Sequence, residues 1–551
     1  MIHFFDLPRE VRDMIYVDYV FIQGGYILNF DSNKLRGANG SLIDLTLMLT
    51  CKTIAKEMKG VALSSNTLNF STELSEEHRR TAGRFGELVK TLYNTQGTKM
   101  NQIYPNFLSI PDDLWRKLSE IDPKFAPYVD LIRRRPHWND RRAVDNVGPP
   151  GSCGETPSVF RRFVRSALQT LVSHRHCFDA QEFENFERGR RISDAIRLEK
   201  LTNLNPDLWA IPSAQEVELM ISSMGKGPNK YFEKRWLHGS AGYQLNHVKH
   251  RYSAAAVAIR FLRSLPKDTR SSIRRIVLDE DWSAVAFAEC HAQGLIPFCQ
   301  ENPHLRVERR VSMWRTILQT MSSACDTFTS PHEGAALGAD QISHSVAVWI
   351  LEALELEPAG MPLGSYTMVL DGDWTISEIF QRVVRRDAAW QAAVDVCLER
   401  GLILPVSWDV RRADPRNITG MASGGVKRSN KWYLFEGFPQ AVEDIVAGRS
   451  VVKCAFELAD AWGDSYDVEK LAEEHKHWTL DDWKAGWFVR EKESFEPDPP
   501  SPSWLQLLCD NTWEAAPVRY DFEQELESSR TAREIEREIR DTWDETSWDE
   551  A

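Results

Sequence analysis

The chain has 551 residues, of which 42% are hydrophobic and 10% aromatic, with a formal net charge of −13. That is long enough for roughly two to four domains at ~150 residues each, and apolar enough to exclude wholesale disorder. No run approaches ~18 apolar residues, so no membrane-spanning helix is expected. Nine cysteines, odd in number and never spaced C-x-x-C, read as reduced thiols and not as a disulfide framework.

Met1–Glu10 breaks its apolar run with Asp6 and Pro8 and lacks the basic, apolar, small-residue order of a secretory leader. The expected location is therefore cytoplasmic or nuclear. Asp6 suits the cap of a helix, Pro8 its first turn and Glu10 its positive end. Leu7, Val11, Met14 and Ile15 follow at i, i+4, i+7 and i+8, giving that helix one apolar face. A second helix is predicted over 42–58, with Leu45, Met48, Leu49 and Ile54 available for packing. Between the two, Tyr26–Phe30 reads as a short strand, bounded by Gly24-Gly25 and the polar segment 31–41. Asn66–Phe70 is its predicted partner.

Taken together, Leu7-Pro8-x-Glu10-Val11-Arg12-x-x-Ile15-Tyr16, Leu49-Thr50-Cys51-Lys52-x-Ile54-x-x-Glu57 and Ser65-Asn66-Thr67-Leu68-x-Phe70 resemble the degenerate F-box-like domains of filamentous fungi. The resemblance covers residues 1–75. It implies a compact helical unit that binds a Skp1-type adaptor and links a partner to a cullin ubiquitin ligase. By resemblance, Leu7, Pro8, Ile15 and Leu49 are the partner-binding residues; packing of the two helices on each other is the alternative role for the same side chains. The strand-like insertion between residues 17 and 41 departs from the family, which has a short turn there.

Residues 76–235 read as a mainly helical, loop-rich connection. Arg133-Arg134-Arg135 and Arg141-Arg142 make a basic cluster within it, read as a solvated loop. Residues 236–410 carry an internal duplication. Ser253–Leu262 aligns at an offset of 92 with Ser345–Leu354, and Ile276-Val277-Leu278-Asp279-Glu280-Asp281-Trp282-Ser283 with Met368-Val369-Leu370-Asp371-Gly372-Asp373-Trp374-Thr375. Each copy reads as helix, buried strand, acidic turn and a further helix starting near Ser283 or Thr375. The two are expected to pack side by side in one α/β layer, with a groove between them.

The Asp-x-Asp pairs Asp279/Asp281 and Asp371/Asp373 are the strongest candidates for chemistry, because strand-end carboxylates hold divalent metals or serve phosphoryl transfer. Their occurrence in both copies instead suggests a shared turn, in which Asp281 or Asp373 caps a helix and Trp282 or Trp374 packs beneath it. His238, His247 and His250, like His174, His176 and Cys177, lack zinc-site spacing. Gly225-Lys226-Gly227 and Gly424-Gly425-Val426-Lys427 lack the phosphate-loop order, and Gly239-Ser240-Ala241-Gly242 is no nucleophile elbow. No catalytic residue, metal ligand or cofactor is therefore assigned.

Residues 411–490 read as a helical part. Residues 491–551 hold 18 acidic against 6 basic residues, nearly all of the net charge, and begin with the proline-rich Glu496–Pro502. They read as an acidic, partly disordered tail. The expected fold is mixed α/β (α+β): a small helical N-terminal module, a duplicated α/β body and that tail. The expected function is a non-enzymatic protein–protein interaction adaptor, with a substrate-recognition role in an SCF-type ubiquitin ligase implied by the resemblance. A metal-dependent transferase or phosphatase using the Asp-x-Asp turns, or a structural scaffold, are the alternatives. A protein partner is expected; membrane and nucleic acid are not.

Overall fold

The computed structural model describes residues 3–103, 108–134, 156–188, 198–224, 248–318, 337–403, 434–435, 437–458, 467–491, 494–495 and 510–511. The fold is mixed α/β, built on one seven-stranded sheet. Its strands are β1 (Tyr26–Asn29), β2 (Lys34–Gly37), β3 (Thr67–Ser71), β4 (Arg275–Glu280) and β5 (Arg306–Ser312). A two-residue strand β6 (Leu337–Gly338) lies outside this sheet; β7 (Tyr366–Asp371) and β8 (Val452–Cys454) complete it. The spatial order is β2-β1-β3-β4-β5-β7-β8, and β6 pairs separately with β9 (Ser494–Phe495). Within the seven-stranded sheet only the β1–β2 pair is antiparallel; the six strands β1, β3, β4, β5, β7 and β8 run parallel.

The N-terminal module is part of this sheet. Thr67–Ser71 pairs with Arg275–Asp279 residue for residue, so the hydrogen-bonded ladder crosses the boundary expected at residue 75. The polar segment 31–41, expected only to bound the strand before it, contains β2, because Asn33 at φ +50° turns the chain back on β1. The single helix expected over 42–58 is instead a 3-10 turn (Thr46–Leu49), then α2 (Lys52–Glu57) after α1 (Arg9–Val20). Cys51 is extended (φ −158°, ψ 161°) and its Sγ caps Ile54 N, which breaks the run. Gly60 at φ +83° then admits α3 (Val61–Ser65).

The described residues between 79 and 224 form a helical layer with its own core, in which Phe125 stacks on Phe163 at 4.6 Å. It joins the sheet unit through Ala286 and Cys290, which are buried in this helical core although they follow β4. The main core lies on one face of the sheet. Leu68, Ile276, Val307, Met368 and Val452 point into it and meet Ala254–Leu262, Val346 and Ile350 from the helices before β4 and β7.

The duplicated units are recognisable as Ala254–Ser264 with β4, and Ala339–Leu354 with β7. They do not lie side by side. Strand β5, rich in arginine (Arg306-Val307-Glu308-Arg309-Arg310), enters the sheet between them and occupies the expected groove. The acidic turns also diverge. Asp373 caps the helix Trp374–Ile379 at Ile376 N, 3.1 Å. No helix starts at Ser283; residues 281–287 are irregular and reach Ala286 and Phe287, both with φ near +65°. Trp374, expected under its helix, is 74% exposed, while Trp282 lies between the guanidinium groups of Arg251 and Arg315.

Gly25 sits where the module meets the sheet. It has φ +73°, and a Cβ there would lie 2.3 Å from the Thr67 carbonyl oxygen. Gly25→Ala is expected to cost about 2 kcal/mol or more, from a left-handed backbone plus displacement of β3. A fall in the urea midpoint, at unchanged m-value, measures it.

Candidate protein-interaction site

Helix α1 is turned the opposite way from its apolar pattern. Its buried residues are Tyr16 and Val20, which meet Ile54 and Met58 of the following turns. Arg12 accompanies them and forks onto Glu57, with Nη2–Oε1 at 2.8 Å and Nε–Oε2 at 3.1 Å. The Tyr16 hydroxyl donates to Glu57 Oε2 at 2.7 Å, and Arg9 adds a further contact at 3.1 Å. The Arg12 fork and the Tyr16 hydroxyl hold the Glu57 carboxyl down at about 2, while burial and then Glu57 push Tyr16 up to about 12. Asn66 closes the unit. Its Oδ1 accepts from Ile22 N, and its Nδ2 donates to the carbonyls of Val20 and Ala62, each at 2.9 Å.

With a polar face turned inward, the apolar face of α1 is left outside. Ten of the sixteen large exposed apolar side chains among the described residues lie in the segments 5–21 and 42–49. Met14 is 72% exposed, Val11, Ile15, Val17 and Tyr19 line the same helix, and Phe21 follows its end. Leu42, Leu45 and Leu49 extend the surface along the next segment. Of the four residues expected to face a partner, Ile15 and Leu49 (84%) are exposed, Pro8 is exposed and Leu7 is half-buried. None of the four belongs to the small core between α1 and α2. Exposed apolar side chains gathered on one surface make it the candidate interaction site.

The Asp-x-Asp carboxylates do not form a comparable centre. Asp279 on β4 and Asp371 on β7 stand two strands apart and two residues out of level, ~12 Å at ~4.8 Å per strand and ~3.3 Å per residue, with Arg310 of β5 next to Asp279. One divalent cation needs its oxygens at ~2.3–2.6 Å. Asp281 accepts from the Thr72 hydroxyl at 2.6 Å, and Asp373 is spent on its helix cap and the Trp314 indole. Burial, with the neighbouring acids, pushes the Asp279 carboxyl up against the pull of Arg310. His174 already bonds Thr170 O at 2.8 Å and Lys117 Nζ at 3.0 Å. Among the described residues no group of three or more His, Cys, Asp or Glu is placed to hold a metal. His238, His247, Arg135, Arg141, Arg142, the three glycine-rich stretches and nearly all of the acidic tail lie outside the described residues.

One buried cluster has no counterpart among the sequence motifs. Glu280, at the end of β4, accepts Ala254 N (3.0 Å) and Ala255 N (3.2 Å) at the start of a helix and the Arg309 guanidinium at 2.8 Å. Beside it, Ser253 Oγ meets His291 Nδ1 at 2.6 Å, the hydrogen-bonded Ser–His contact that nucleophilic catalysis uses. His291 Nε2 lies 2.8 Å from the Ala286 carbonyl, which only an N–H can face, so Nδ1 accepts and the serine hydroxyl donates. Burial holds this histidine neutral, down to about 3. Ser253 Oγ also caps its helix by accepting Ala256 N, and both residues are at most 2% exposed. The pair therefore fixes the helix start and the left-handed Ala286, and offers no accessible nucleophile. Nothing in the sequence spacing links Ser253 to His291, 38 positions away.

No family model, no curated protein and no solved structure matches this chain. Among the described residues no helix is long and apolar enough to cross a membrane.

Two outcomes test this geometry. Arg309→Ala leaves Glu280 buried without its cation and is expected to lose about 3–5 kcal/mol in denaturant unfolding. Glu57 has a depressed folded-state value, so its stabilisation is complete above its unfolded value near 4.5 and is lost as pH falls toward about 2. The difference in thermal midpoint between wild type and Glu57→Gln should therefore be constant from neutral pH to about 5 and shrink below it.

Proposed function

We propose that this chain is a non-enzymatic interaction adaptor that docks a Skp1-type protein through the outward face of α1 and the segment 42–49. In this reading it presents a second bound protein to a cullin ubiquitin ligase. The observation that carries the proposal is the division of labour within the F-box-like motif. Its polar residues Arg12, Tyr16, Glu57 and Asn66 bond each other or the local backbone, and while its apolar residues Ile54, Leu68 and Phe70 are buried, Val11, Ile15 and Leu49 are left at the surface. A motif serving only to pack two helices would place these groups the other way round. The insertion between residues 17 and 41 supports the same reading, because its strands join the sheet and leave the outward face of α1 uncovered by them.

Titration calorimetry of the full chain with a recombinant fungal Skp1-type adaptor tests it. Micromolar or tighter binding is expected. Met14→Glu combined with Leu49→Glu should weaken that binding by at least about tenfold, as charges in a desolvated hot spot do. The variant's thermal midpoint should hold or rise, since both side chains already face water. No heat of binding, or binding indifferent to the two charges, removes the ligase role.

A further inference from the structure

The sheet has a second face that the N-terminal site does not use. Strands β1, β3, β4, β5, β7 and β8 are parallel and adjacent in chain order. Crossovers between parallel strands are right-handed in nearly all proteins, so a sheet that advances in one direction receives every crossover on the same side. Parallel sheets are ordinarily covered on both faces and read as continuous apolar runs. Here the strands alternate: β5 reads exposed or half-buried at Arg306, Glu308, Arg310 and Ser312, and buried at Val307, Arg309 and Val311. The apolar residues on the outer face, Ile27, Val277 and Val369, belong to none of the apolar cores.

The register places charge on that face in a definite pattern. Arg275 and Arg306 are direct cross-strand neighbours, both exposed. Like charges so placed repel and cost stability. Among the described residues neither has an acidic partner: Arg306 donates to the carbonyls of Pro303 and Leu305, and the Arg275 side chain has no bonded group. The outer face carries Lys34, Arg36, Arg275, Arg306, Arg310 and Lys453 against Asp279, Glu308 and Asp371. Glu308 is already taken by Arg310 at 2.6 Å, and Asp279 and Asp371 stand at the carboxyl ends of their strands. The amino-terminal side of the face is therefore positive on a protein whose net charge is −13.

We infer that this outer face docks an extended acidic segment of a partner protein, with a carboxylate of that segment held between Arg275 and Arg306. The six spacings across the sheet, at ~4.8 Å each, span ~29 Å, about nine residues of extended chain. Nucleic acid is the poorer fit. Among the described residues no aromatic side chain stands on this face to stack on a base, and Asp279 and Asp371 oppose phosphate. The inference does not depend on the Skp1 reading, since the two surfaces share no residue.

The experiment is fluorescence anisotropy of a labelled peptide of about twelve residues, alternating Glu and Ser, titrated with the full chain. Saturable binding that weakens with added salt is expected. Arg275→Gln with Arg306→Gln should weaken it by about tenfold, and Arg306→Lys, which keeps the charge, should retain most of it. Met14→Glu, on the other surface, should leave it unchanged. Both glutamine substitutions are at exposed positions, and an unaltered thermal midpoint confirms that folding is intact. Absence of saturable binding overturns the inference, as does equal affinity of the glutamine pair. Tighter binding of single-stranded DNA of equal length through the same two arginines overturns it in favour of a nucleic-acid surface.

Discussion

Glu280 is a carboxylate with no solvent exposure at the end of a parallel strand, and it survives there because four donors converge on it. Two are amides of the first turn of the helix Ala254–Ser264, where the helix dipole favours negative charge; two belong to Arg309 on the next strand. Arg309 in turn donates to the Ala288 carbonyl at 2.6 Å and to Glu289 O at 3.2 Å, and its guanidinium lies 4.9 Å from the Trp349 ring centre. The backbone carbonyl of Glu280 accepts from Thr316 at 2.6 Å. One residue thus positions two strands, a helix start, the irregular segment after β4 and the turn after β5. Removing either charge alone would strand the other in a medium that cannot solvate it.

Much of this organisation is legible in residue order. The strands Tyr26–Asn29 and Thr67–Ser71, both repeats of the helix–strand unit, and the cap at Asp373 follow from local periodicity and turn chemistry. The departures have a common origin. Strand β5 alternates Arg, Val, Glu, Arg, Arg, Val, a pattern that hides a buried strand because its interior arginine is neutralised by a residue 29 positions away. The apolar face of helix α1 follows from residue spacing, but which face turns inward is decided by Glu57, 41 residues beyond Tyr16. Long-range polar pairing overrides the apolar periodicity in both places, and a one-dimensional pattern does not encode it.

The helical layer and the sheet meet across a second set of buried polar groups. Arg161 lies 4.2 Å from the Phe287 ring centre, and Glu352 accepts from the amide and hydroxyl of Ser158 at 2.8 and 2.7 Å. Burial pushes the Glu352 carboxyl up to about 7 despite Arg161 and these donors. Phe287 and Ala286 hold left-handed backbones at this junction, and Arg161 and His291 are the contacts that keep them there. The long excursion between β3 and β4 is thereby fastened to the sheet it leaves and rejoins.

The shared ladder between β3 and β4 has a mechanical consequence. A docking module joined to its body by a flexible linker explores a volume, and two bound partners then meet at an effective concentration set by linker length. Here Asn66 ties the end of α1 to α3 and to the strand that follows, the Tyr26 hydroxyl ties β1 to the Val20 carbonyl at 3.0 Å, and β3 is zipped to β4 over five residues. The chain between the two surfaces is a rigid rule, not a tether. Molecules held on α1 and on the sheet would keep one separation and one mutual orientation, so reach is traded for registration, and a partner too short to span that distance would be held out of range.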